Sequence, residues 1–555
     1  MKSSAQKLTI SQAIQQAKQY HNSGNLQQAE SIYQQILQVE PKNYEVLHLL
    51  GVLAAQVENY PVAAELIEKA IKIKKSIPNF YNSLGNVYWY QRKLDIAEAI
   101  FRHGIKLDSK NSNLYSNLGN VLRDQDKLEE AVDCYKRSLD LNPDFAEAHN
   151  NLGNVLRDRE QLDQAIDCYQ RAIALNSNYV DAHNNLGIAL GMQDKLDEAM
   201  ACLQHALILD PNYAKAYNNI ALILANRNNL DSAVENYQQA LRLQPNYADA
   251  HFSYAALLLR TGDFTKGWPE YEWRLRRPKT SPFQYLKKPL LWDGTNLNGR
   301  RLLVYWEQGL GDTIQFLRYI ALIKGGTVIF ACQPELRWLI NRSLDTKYVV
   351  AGVEDTVKIP YDVWIPLISL PNIFATTLDN IPVPIPYIYP DGKKVAKWQT
   401  RLQTTSFKVG IVWAGNPKYP NDKNRSCPLN YFAPLAKLPN ITFFSLQKGE
   451  AANQSVPNDI ELTSLTDDLV DFADTAAVIA NLDLVISVDT AVVHLAGAMG
   501  KPVWILLPFI ADWRWLLDRD DTPWYPTMRL FRQPRPQAWA EVFNQVRNEL
   551  SSQVR

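Results

Sequence analysis

The chain has 555 residues, enough for more than one domain, and its 58 basic residues balance its 58 acidic ones. This neutral balance gives no bulk electrostatic reason to expect a nucleic acid or an anionic membrane as a partner. No apolar run reaches the roughly 18 to 20 residues of a membrane span, and the first residues lack the apolar core of a signal peptide. The five cysteines form no CxxC pair. We therefore expect neither disulfides nor a zinc site, and a cytoplasmic location.

The first half of the chain repeats with a period of 34 residues. A leucine–glycine pair recurs at Leu50-Gly51, Leu84-Gly85, Leu118-Gly119, Leu152-Gly153 and Leu186-Gly187. An alanine follows each pair after 12 residues and a large side chain after 16. The small residues let two antiparallel helices approach, and the large ones fill the space between them. This pattern resembles the tetratricopeptide repeat (TPR). About seven units run from Thr9 to Tyr247, with a degenerate eighth around Tyr254. They predict an α superhelix with a concave groove over residues 9–281.

A row of asparagines precedes these leucine–glycine pairs, at Asn117, Asn151, Asn185 and Asn219. Asparagine is a poor helix former, so helix propensity does not explain the row. Amides on a concave face can donate and accept hydrogen bonds with an extended peptide. The row resembles the Asn-lined repeats of the eukaryotic O-GlcNAc transferases, which hold peptide substrates. That resemblance covers the repeats alone, and it implies a protein partner or acceptor in the groove. The alternative is that asparagine suits a solvated inner face and stacks between repeats.

Beyond Phe264, prolines and aromatic residues replace the helical period, which predicts a packed connector rather than a flexible linker. An α/β half is then expected over residues 288–404. Its predicted strands are Arg301 to Trp306, Thr327 to Ala331, Lys347 to Ala351 and Val363 to Pro366. Helices are predicted from Thr313 to Ile323 and from Lys393 to Gln403, with an extended Pro-rich segment, Ile381 to Pro390, between them.

A second α/β half is expected over residues 405–555. Its predicted strands are Phe407 to Ala414, Ile441 to Leu446, Leu484 to Val488 and Val503 to Leu507, and its helices are Leu469 to Ala480, Ala491 to Met499 and Trp539 to Leu550. Asp489 and Thr490 stand where a helix begins after a parallel strand, and free N–H groups at such a point suit a phosphate. Thr490 and His494 lie on one helical face, so both could reach one anion. The alternative is a capped, buried helix with one core histidine.

The residues Asp489-Thr490, His494-Leu495-Ala496, Ala498, Gly500 and Pro502 follow the pattern D-[ST]-x-x-x-H-x-A-x-A-x-G-x-P. This pattern resembles the donor-site signature of family 9 glycosyltransferases, the heptosyltransferase-like group with the GT-B fold. The segments EQGLGD, NDKNR and LQKGE match that family in the same order. The resemblance implies two Rossmann-like halves facing a cleft, with the acceptor on the first half and the donor on the second. It also implies inverting transfer from a nucleotide-diphosphate sugar, with no cofactor and no metal ligand.

The same resemblance implies roles for individual residues. Asp312 matches the proposed general base, although Asp312-x-x-Gln315 is also a capping box, which would lower the pKa of this carboxyl. Arg425 matches a cation that contacts the donor phosphates, with Lys423 as a near alternative and a solvated charge cluster as the other reading. Glu450 matches a glutamate that holds the donor ribose. Asp489, Thr490 and His494 complete the expected donor site.

Three hypotheses about function remain, and they differ in the acceptor of the sugar. In the first, the repeats hold a protein that the enzyme glycosylates. In the second, the acceptor is a glycan or a lipid-linked saccharide, and the repeats recruit partners. In the third, the chain is a non-catalytic scaffold. The aromatic block around Trp513-Arg514-Trp515 is typical of packing, although Arg514 could reach a phosphate. The last helix is expected to cross back onto the first half, as is common in GT-B proteins.

Overall fold

The computed structural model describes residues 9–277, 290–344, 349–352, 359–382, 385–419, 421–458 and 460–554. The chain divides into two compact units, Met1–Ile223 and Leu224–Arg555. The expected end of the repeat array at residue 281 and the expected start of the α/β region at residue 288 lie outside the described residues. The same holds for the first two residues of the strand expected from Lys347. Within the described ranges, no helix combines the length and the apolar character that a bilayer crossing requires.

Paired helices form the TPR solenoid, as the 34-residue period predicts. They are α1 (Ile10–Asn22), α2 (Leu26–Val39), α3 (Tyr44–Gln56), α4 (Tyr60–Ile73), α5 (Pro78–Tyr90), α6 (Leu94–Leu107), α7 (Ser112–Asp124), α8 (Leu128–Leu141), α9 (Ala146–Asp158), α10 (Leu162–Leu175), α11 (Val180–Met192), α12 (Leu196–Leu209), α13 (Ala214–Asn226), α14 (Leu230–Leu243), α15 (Ala248–Arg260) and α16 (Phe264–Tyr271). The repeat positions pack as expected. A methyl group added to Gly119 would lie 2.8 Å from the ring of Tyr135, which is fully buried.

The turn between the two helices of a pair has the same backbone conformation in successive repeats. Its left-handed residue is Glu58, Arg92, Asp126, Glu160, Asp194 or Asn228, with φ between 59° and 64°. The next N–H then bonds back to a carbonyl of the finished helix, as from Asn59 to Ala54 at 2.8 Å. This arrangement ends each helix at a fixed residue and keeps the repeats in register.

A parallel four-stranded sheet forms the first α/β half. Its elements are β1 (Arg301–Tyr305), α17 (Leu310–Phe316), β2 (Thr327–Cys332), α18 (Pro334–Ser343), β3 (Val349–Gly352), β4 (Val363–Pro366), α19 (Leu370–Ile373) and α20 (Gly392–Arg401). The strand order is β3-β2-β1-β4. The predicted strands are confirmed, but the helix expected from Thr313 to Ile323 is wrong at both ends. It begins at Leu310 and gives way after Phe316 to a 3₁₀ helix, Leu317–Leu322.

A parallel six-stranded sheet forms the second half. Its elements are β5 (Phe407–Val412), α21 (Asp422–Arg425), α22 (Ala433–Ala436), β6 (Ile441–Ser445), β7 (Leu462–Ser464), α23 (Phe472–Ala480), β8 (Leu484–Val488), α24 (Ala491–Ala498), β9 (Val503–Leu507), β10 (Met528–Arg532) and α25 (Trp539–Gln553). The order is β10-β9-β8-β5-β6-β7. The chain reverses direction across the sheet between β5 and β8, and in the first sheet between β1 and β4. Loops at such switch points are where open α/β sheets bind ligands. Two parallel sheets of this kind give a GT-B-like α/β region after the solenoid.

The last helix, α25, stays with its own sheet. Trp539, Phe543 and Leu550 are buried in the core of the second half, and the Phe543 ring meets that of Phe432 at 4.7 Å. The expectation that the last helix crosses back onto the first half is therefore wrong. An apolar face that is already covered on one sheet has no second surface to bury.

The eighth helix pair, α15 and α16, packs into the α/β core. The Trp268 ring lies 5.4 Å from that of Trp513 and 6.3 Å from that of Phe316, while Phe264 stacks on Trp524 at 5.9 Å. Trp268 Nε1 also donates to the carbonyl of Thr376 at 3.1 Å. The end of the solenoid and the α/β region thus share one hydrophobic core, as expected of a packed connector.

Beside this core, a buried ion pair ties the residues after α16 to the end of β1. Arg274 donates from Nε and from one terminal nitrogen to the two oxygens of Glu307, at 2.9 and 2.6 Å. Glu307 also accepts from the backbone N–H of Ile368, just beyond β4. The link therefore sits at the switch point of the first sheet.

Candidate functional site

The turn between β8 and α24 carries Asp489 and Thr490. Thr490 is the N-cap residue of α24, yet its hydroxyl accepts no bond from the helix. Its Oγ1 lies 3.2 Å from Ser487 Oγ instead. Thr490 therefore leaves the first N–H groups of an eight-residue helix without a side-chain cap, at the switch point of the second sheet.

Asp489 is held from the loop that follows β9. Trp515 Nε1 donates to Asp489 Oδ2 at 2.9 Å, and the other oxygen is 3.9 Å from His494 Nε2. Burial, and then the charge of Asp512, raise the pKa of Asp489 to about 6, against the opposing effects of Trp515, Arg425 and Arg514. Asp489 is thus a carboxyl whose charge the site tolerates poorly.

His494 is a buried residue, with 4% of its surface exposed. Its Nδ1 is 3.1 Å from the Tyr525 hydroxyl, and its ring stacks on Trp515 at 5.4 Å. Burial, helped by the positive charges of Arg514 and Arg318, lowers the pKa of His494 well below its usual value. The lowered pKa opposes a positive charge on this imidazole, and its burial agrees with the alternative of a core histidine. That His494 helps to bind a phosphate stays a prediction.

Asp312 lies on the opposite sheet, in the turn after β1. It is the third residue of α17 and its Oδ2 accepts from the N–H of Gly309, the N-cap, at 2.7 Å. The expected capping box between Asp312 and Gln315 is therefore wrong. Burial, with a smaller effect of Asp512, raises the pKa of Asp312, although Arg514 and the Gly309 N–H act in the opposite direction. The lowered pKa expected of a capping aspartate is also wrong.

Arg514 joins the two halves at this point. It comes from the 3₁₀ helix Trp513–Trp515, after β9, and its side chain is buried. One terminal nitrogen donates to Asp312 Oδ1, the other donates to Asp512 at 2.7 Å, and Nε donates to Gln315 Oε1 at 2.9 Å. The first α/β half, through Asp312 and Gln315, and the loop after β9 of the second half are thus linked through one guanidinium.

The two turns also touch directly. A methyl group added to Gly311 would lie 2.8 Å from Cδ2 of His494. The turn after β1 and the helix after β8 therefore meet, as helices α17 and α24 pack against each other. Asp312, Asp489, Asp512 and Arg514 form the cluster that we call the carboxylate–arginine cluster.

Arg425 lies near this cluster, on the short helix α21. Its Nε donates to Asp422 at 2.9 Å and its guanidinium lies 4.5 Å above the ring of Tyr419. Its charge reaches Asp489, whose pKa it lowers. Of the two expected phosphate-binding cations, Arg425 is therefore the one whose charge acts on a member of the cluster.

Lys423 and Glu450 are exposed. Glu450 begins a 3₁₀ helix after Gly449, at the carboxyl end of β6. Within the described part of the chain, neither side chain makes a hydrogen bond or an ion pair to the carboxylate–arginine cluster. Both remain predictions from the resemblance.

In the solenoid, the asparagine row forms an amide chain between repeats. Asn185 Nδ2 donates to Asn150 at 2.9 Å, and Asn219 Nδ2 donates to Asn184 at 2.8 Å. Within the repeats, the bonds run from Asn150 to Asn151, from Asn184 to Asn185 and from Asn218 to Asn219, at 3.5, 3.4 and 3.3 Å. Asn117 likewise donates to Asn82 at 2.9 Å. These amide bonds between successive repeats agree with the alternative that the asparagines stack between repeats.

Sequence reasoning missed the roles of Arg514 as the partner of Asp312 and of Trp515 as the partner of Asp489. One signal was available. An arginine between two tryptophans, just after a buried strand, has its charge taken out of water and requires a carboxylate nearby. Which carboxylate it would meet depended on the approach of the two sheets.

Comparison with known proteins identifies the two regions. Models described as TPR repeat and tetratricopeptide repeat match residues 14–76, 78–111, 119–157, 153–194, 180–213, 202–235 and 222–262. The model described as glycosyltransferase family 9 (heptosyltransferase) matches residues 448–506, which include Asp489, Thr490 and His494. The chain carries TPR repeats and a glycosyltransferase family 9 domain.

The family 9 match covers the region from Lys448 through β9, where the sequence signature lies. Protein FlbA of Caulobacter vibrioides is 27% identical over 315 residues, 52% of this chain and 52% of the relative. The chain thus matches about half the length of this curated relative.

Among solved structures, YrrB, described as a TPR protein with an unusual peptide-binding site, is 29% identical. The match covers 34% of this chain and 98% of YrrB, with a TM-score of 0.28. MamA is 27% identical over 30% of this chain and 96% of MamA, with a TM-score of 0.27. The family 9 domain supports a glycosyltransferase, and the TPR repeats indicate protein–protein interaction.

Proposed function

We propose that this chain transfers a sugar from a nucleotide-diphosphate donor to a hydroxyl of a protein held by the TPR groove. One observation carries the proposal. The short helix Trp513–Trp515 contacts both sides, because Arg514 donates to the carboxylate of Asp312 and Trp515 donates to Asp489 in the β8–α24 turn. A base on one side and an anion-binding turn on the other are what a single displacement at a sugar carbon requires.

In this reaction the acceptor hydroxyl attacks the anomeric carbon and gives its proton to Asp312. The new bond forms between the acceptor oxygen and that carbon, while the bond from the carbon to the diphosphate oxygen breaks. The nucleoside diphosphate leaves with the electron pair, and the configuration at the carbon inverts. A carboxylate whose pKa is raised accepts a proton more readily at neutral pH, as suits a general base.

The departing diphosphate gains negative charge, and we expect three groups to stabilise it. They are the Arg425 guanidinium, the Thr490 hydroxyl and the N–H groups at the start of α24. His494 lies against Gly311 and so holds the start of α24 beside α17, while its lowered pKa opposes a charge on the imidazole.

The protein acceptor is supported by the asparagine row. Each amide has two N–H bonds and two lone pairs, so a single bond to the next repeat leaves capacity for a ligand. Of the four predicted asparagines, Asn117, Asn185 and Asn219 are half-buried, whereas Asn151 is buried, as are the neighbouring Asn150 and Asn184. The half-buried members are the ones available to an extended peptide.

Thermal unfolding of the full chain with a panel of nucleoside diphosphates tests the donor site. A ligand at about 100 times its dissociation constant stabilises the folded state by roughly 2.7 kcal/mol. We expect one nucleotide to raise the melting temperature, and the double variant Thr490→Ala/Arg425→Ala to lose that shift. Arg547→Ala, which removes an exposed cation from α25, is the matched control. No shift with any nucleotide would favour the scaffold hypothesis.

The acceptor is tested with a donor carrying a labelled sugar. Label in polypeptide, lost in Asp312→Asn, is the expected result. Label in lipid extracts alone would instead support the saccharide-acceptor hypothesis with the repeats as a recruiting module.

A further inference from the structure

Arg514 lies in the second α/β half, where the donor is expected, but two of its hydrogen bonds go to the first half, where the acceptor is expected. Nε donates to Gln315 and a terminal nitrogen donates to Asp312, while the remaining bond goes to Asp512 of its own loop. The side chain is 8% exposed. Burial and these hydrogen bonds together define the position of the Arg514 guanidinium in the site.

The pairing conflicts with the work proposed for Asp312. One carboxylate oxygen accepts the Gly309 N–H and the other accepts Arg514. A guanidinium stabilises the ionised form and so makes the carboxylate a weaker base. It also occupies the oxygen that does not cap α17. With Arg514 in this position, each carboxylate oxygen already accepts one hydrogen bond, and the charge that would draw a proton from an acceptor hydroxyl is balanced by the guanidinium.

The next residue, Trp515, donates to Asp489 and stacks on the His494 ring, so Arg514 lies beside the β8–α24 turn. Its charge acts on Asp489 and on His494, both in the β8–α24 segment. A diphosphate carries more negative charge than one carboxylate, and its paired oxygens match the two-pronged geometry of a guanidinium. A bound donor therefore offers Arg514 a stronger partner than Asp312.

We propose that Arg514 is a donor-responsive positioning residue, which exchanges the Asp312 carboxylate for the donor diphosphate and thereby frees the base only when donor is bound. This inference rests on the proposed function. It gives the two halves an order of events in which the donor binds before the acceptor hydroxyl can be deprotonated. It also restricts the base while the donor site is empty.

The exchange implies that Asp312 and the diphosphate compete for Arg514. We would measure, by calorimetry on the full chain, the dissociation constant of the nucleoside diphosphate that the unfolding panel selects. Asp312→Asn, which removes the competing charge, is expected to bind it about tenfold more tightly than wild type. In the Arg514→Gln background, the same Asp312→Asn change should give little or no gain. Arg514→Lys should restore part of the gain, because it keeps the charge.

The other outcomes discriminate clearly. Equal affinity in wild type and Asp312→Asn would overturn the exchange and leave the proposed function standing. A gain of the same size with and without Arg514 would reduce the effect to repulsion between Asp312 and phosphate, and would also overturn it. A wild-type chain that binds no nucleoside diphosphate would overturn the proposed function itself. If Arg514→Gln does not fold, the comparison with Arg514→Lys still decides, since the exchange predicts a smaller gain there than in the native background.

Discussion

Gly311 lies against the imidazole of His494, so closely that a Cβ atom at position 311 would stand 2.8 Å from His494 Cδ2. The two residues belong to different α/β halves, Gly311 to the first turn of α17 and His494 to α24. The approach of the two halves at the carboxylate–arginine cluster therefore depends on the absence of a side chain at Gly311.

Gly311→Ala is expected to lower the free energy of unfolding by about 1 to 3 kcal/mol, because the added methyl group forces the two turns apart. Thermal unfolding measures the effect. Gly392→Ala is the matched control, since a Cβ atom there meets nothing within 4 Å. Equal melting temperatures for the two variants would contradict the close approach.

Asp489→Asn should change how stability depends on pH. The folded state raises the pKa of Asp489 to about 6, above the value of roughly 3.9 in an unfolded chain. Between these values the folded state binds more protons, so the wild type loses stability as pH rises through this window. The asparagine keeps an acceptor for Trp515 and carries no charge.

We therefore expect Asp489→Asn and wild type to unfold alike near pH 4, and the variant to be more stable by about 1 to 3 kcal/mol at pH 7.5. Asp483→Asn, at the exposed opposite end of β8, is the control for the same chemical change. A pH-independent difference at position 489 would refute the strained carboxylate.

Arg274→Met should be strongly destabilising, by about 3 to 5 kcal/mol, because it leaves the buried carboxyl of Glu307 and the half-buried carboxyl of Glu272 without their guanidinium. Arg276→Met removes an exposed guanidinium two residues away, which lies over the Trp273 ring, and should cost less than about 1 kcal/mol. Arg274→Met/Glu307→Leu should recover part of the loss. Similar melting temperatures for the two single variants would show that the ion pair does not secure the junction.

Asn184→Leu tests the amide chain of the solenoid. Asn184 is 2% exposed, accepts from Asn219 and donates to Asn185. The leucine leaves the two neighbouring amides with unmade bonds, at a cost of about 1 to 3 kcal/mol. Hydrogen exchange in α11 and α13 should speed up. Asn212→Leu, at an exposed site, should stay within about 0.5 kcal/mol of wild type, and an equal effect at both sites would exclude a structural role for the chain.

The repeats and the strands could be predicted because their information is local. Pairs such as Gly119 and Tyr135 fix the helix packing, and runs such as Leu484 to Val488 can only be buried strands. β10, an edge strand, was missed because Arg529 and Arg532 interrupt its apolar pattern. Their side chains bond outside the strand, to Glu549 and to the carbonyl of Arg519. Edge strands commonly carry such charges.

The site was predictable in its residue types but not in its electrostatics. Asp312, Asp489, Thr490 and His494 could be singled out from the sequence. The lowered pKa of His494 and the pairing of Asp312 with Arg514 both depend on contacts between the two halves, across about 200 residues of sequence for the Asp312–Arg514 pair. The asparagine chain depended likewise on an offset of 35 residues, one more than the repeat period.

The aromatic packing of the eighth helix pair has a consequence for how such proteins could be recombined. Trp268 and Phe264 are part of the hydrophobic core that also contains Trp513 and Trp524. An α/β region cut from the repeats at the change of composition near Phe264 would expose the aromatic side chains of this core to water and should aggregate. A chimera with a different repeat array would therefore need its fusion point upstream of α15, so that the final helix pair stays with the α/β region.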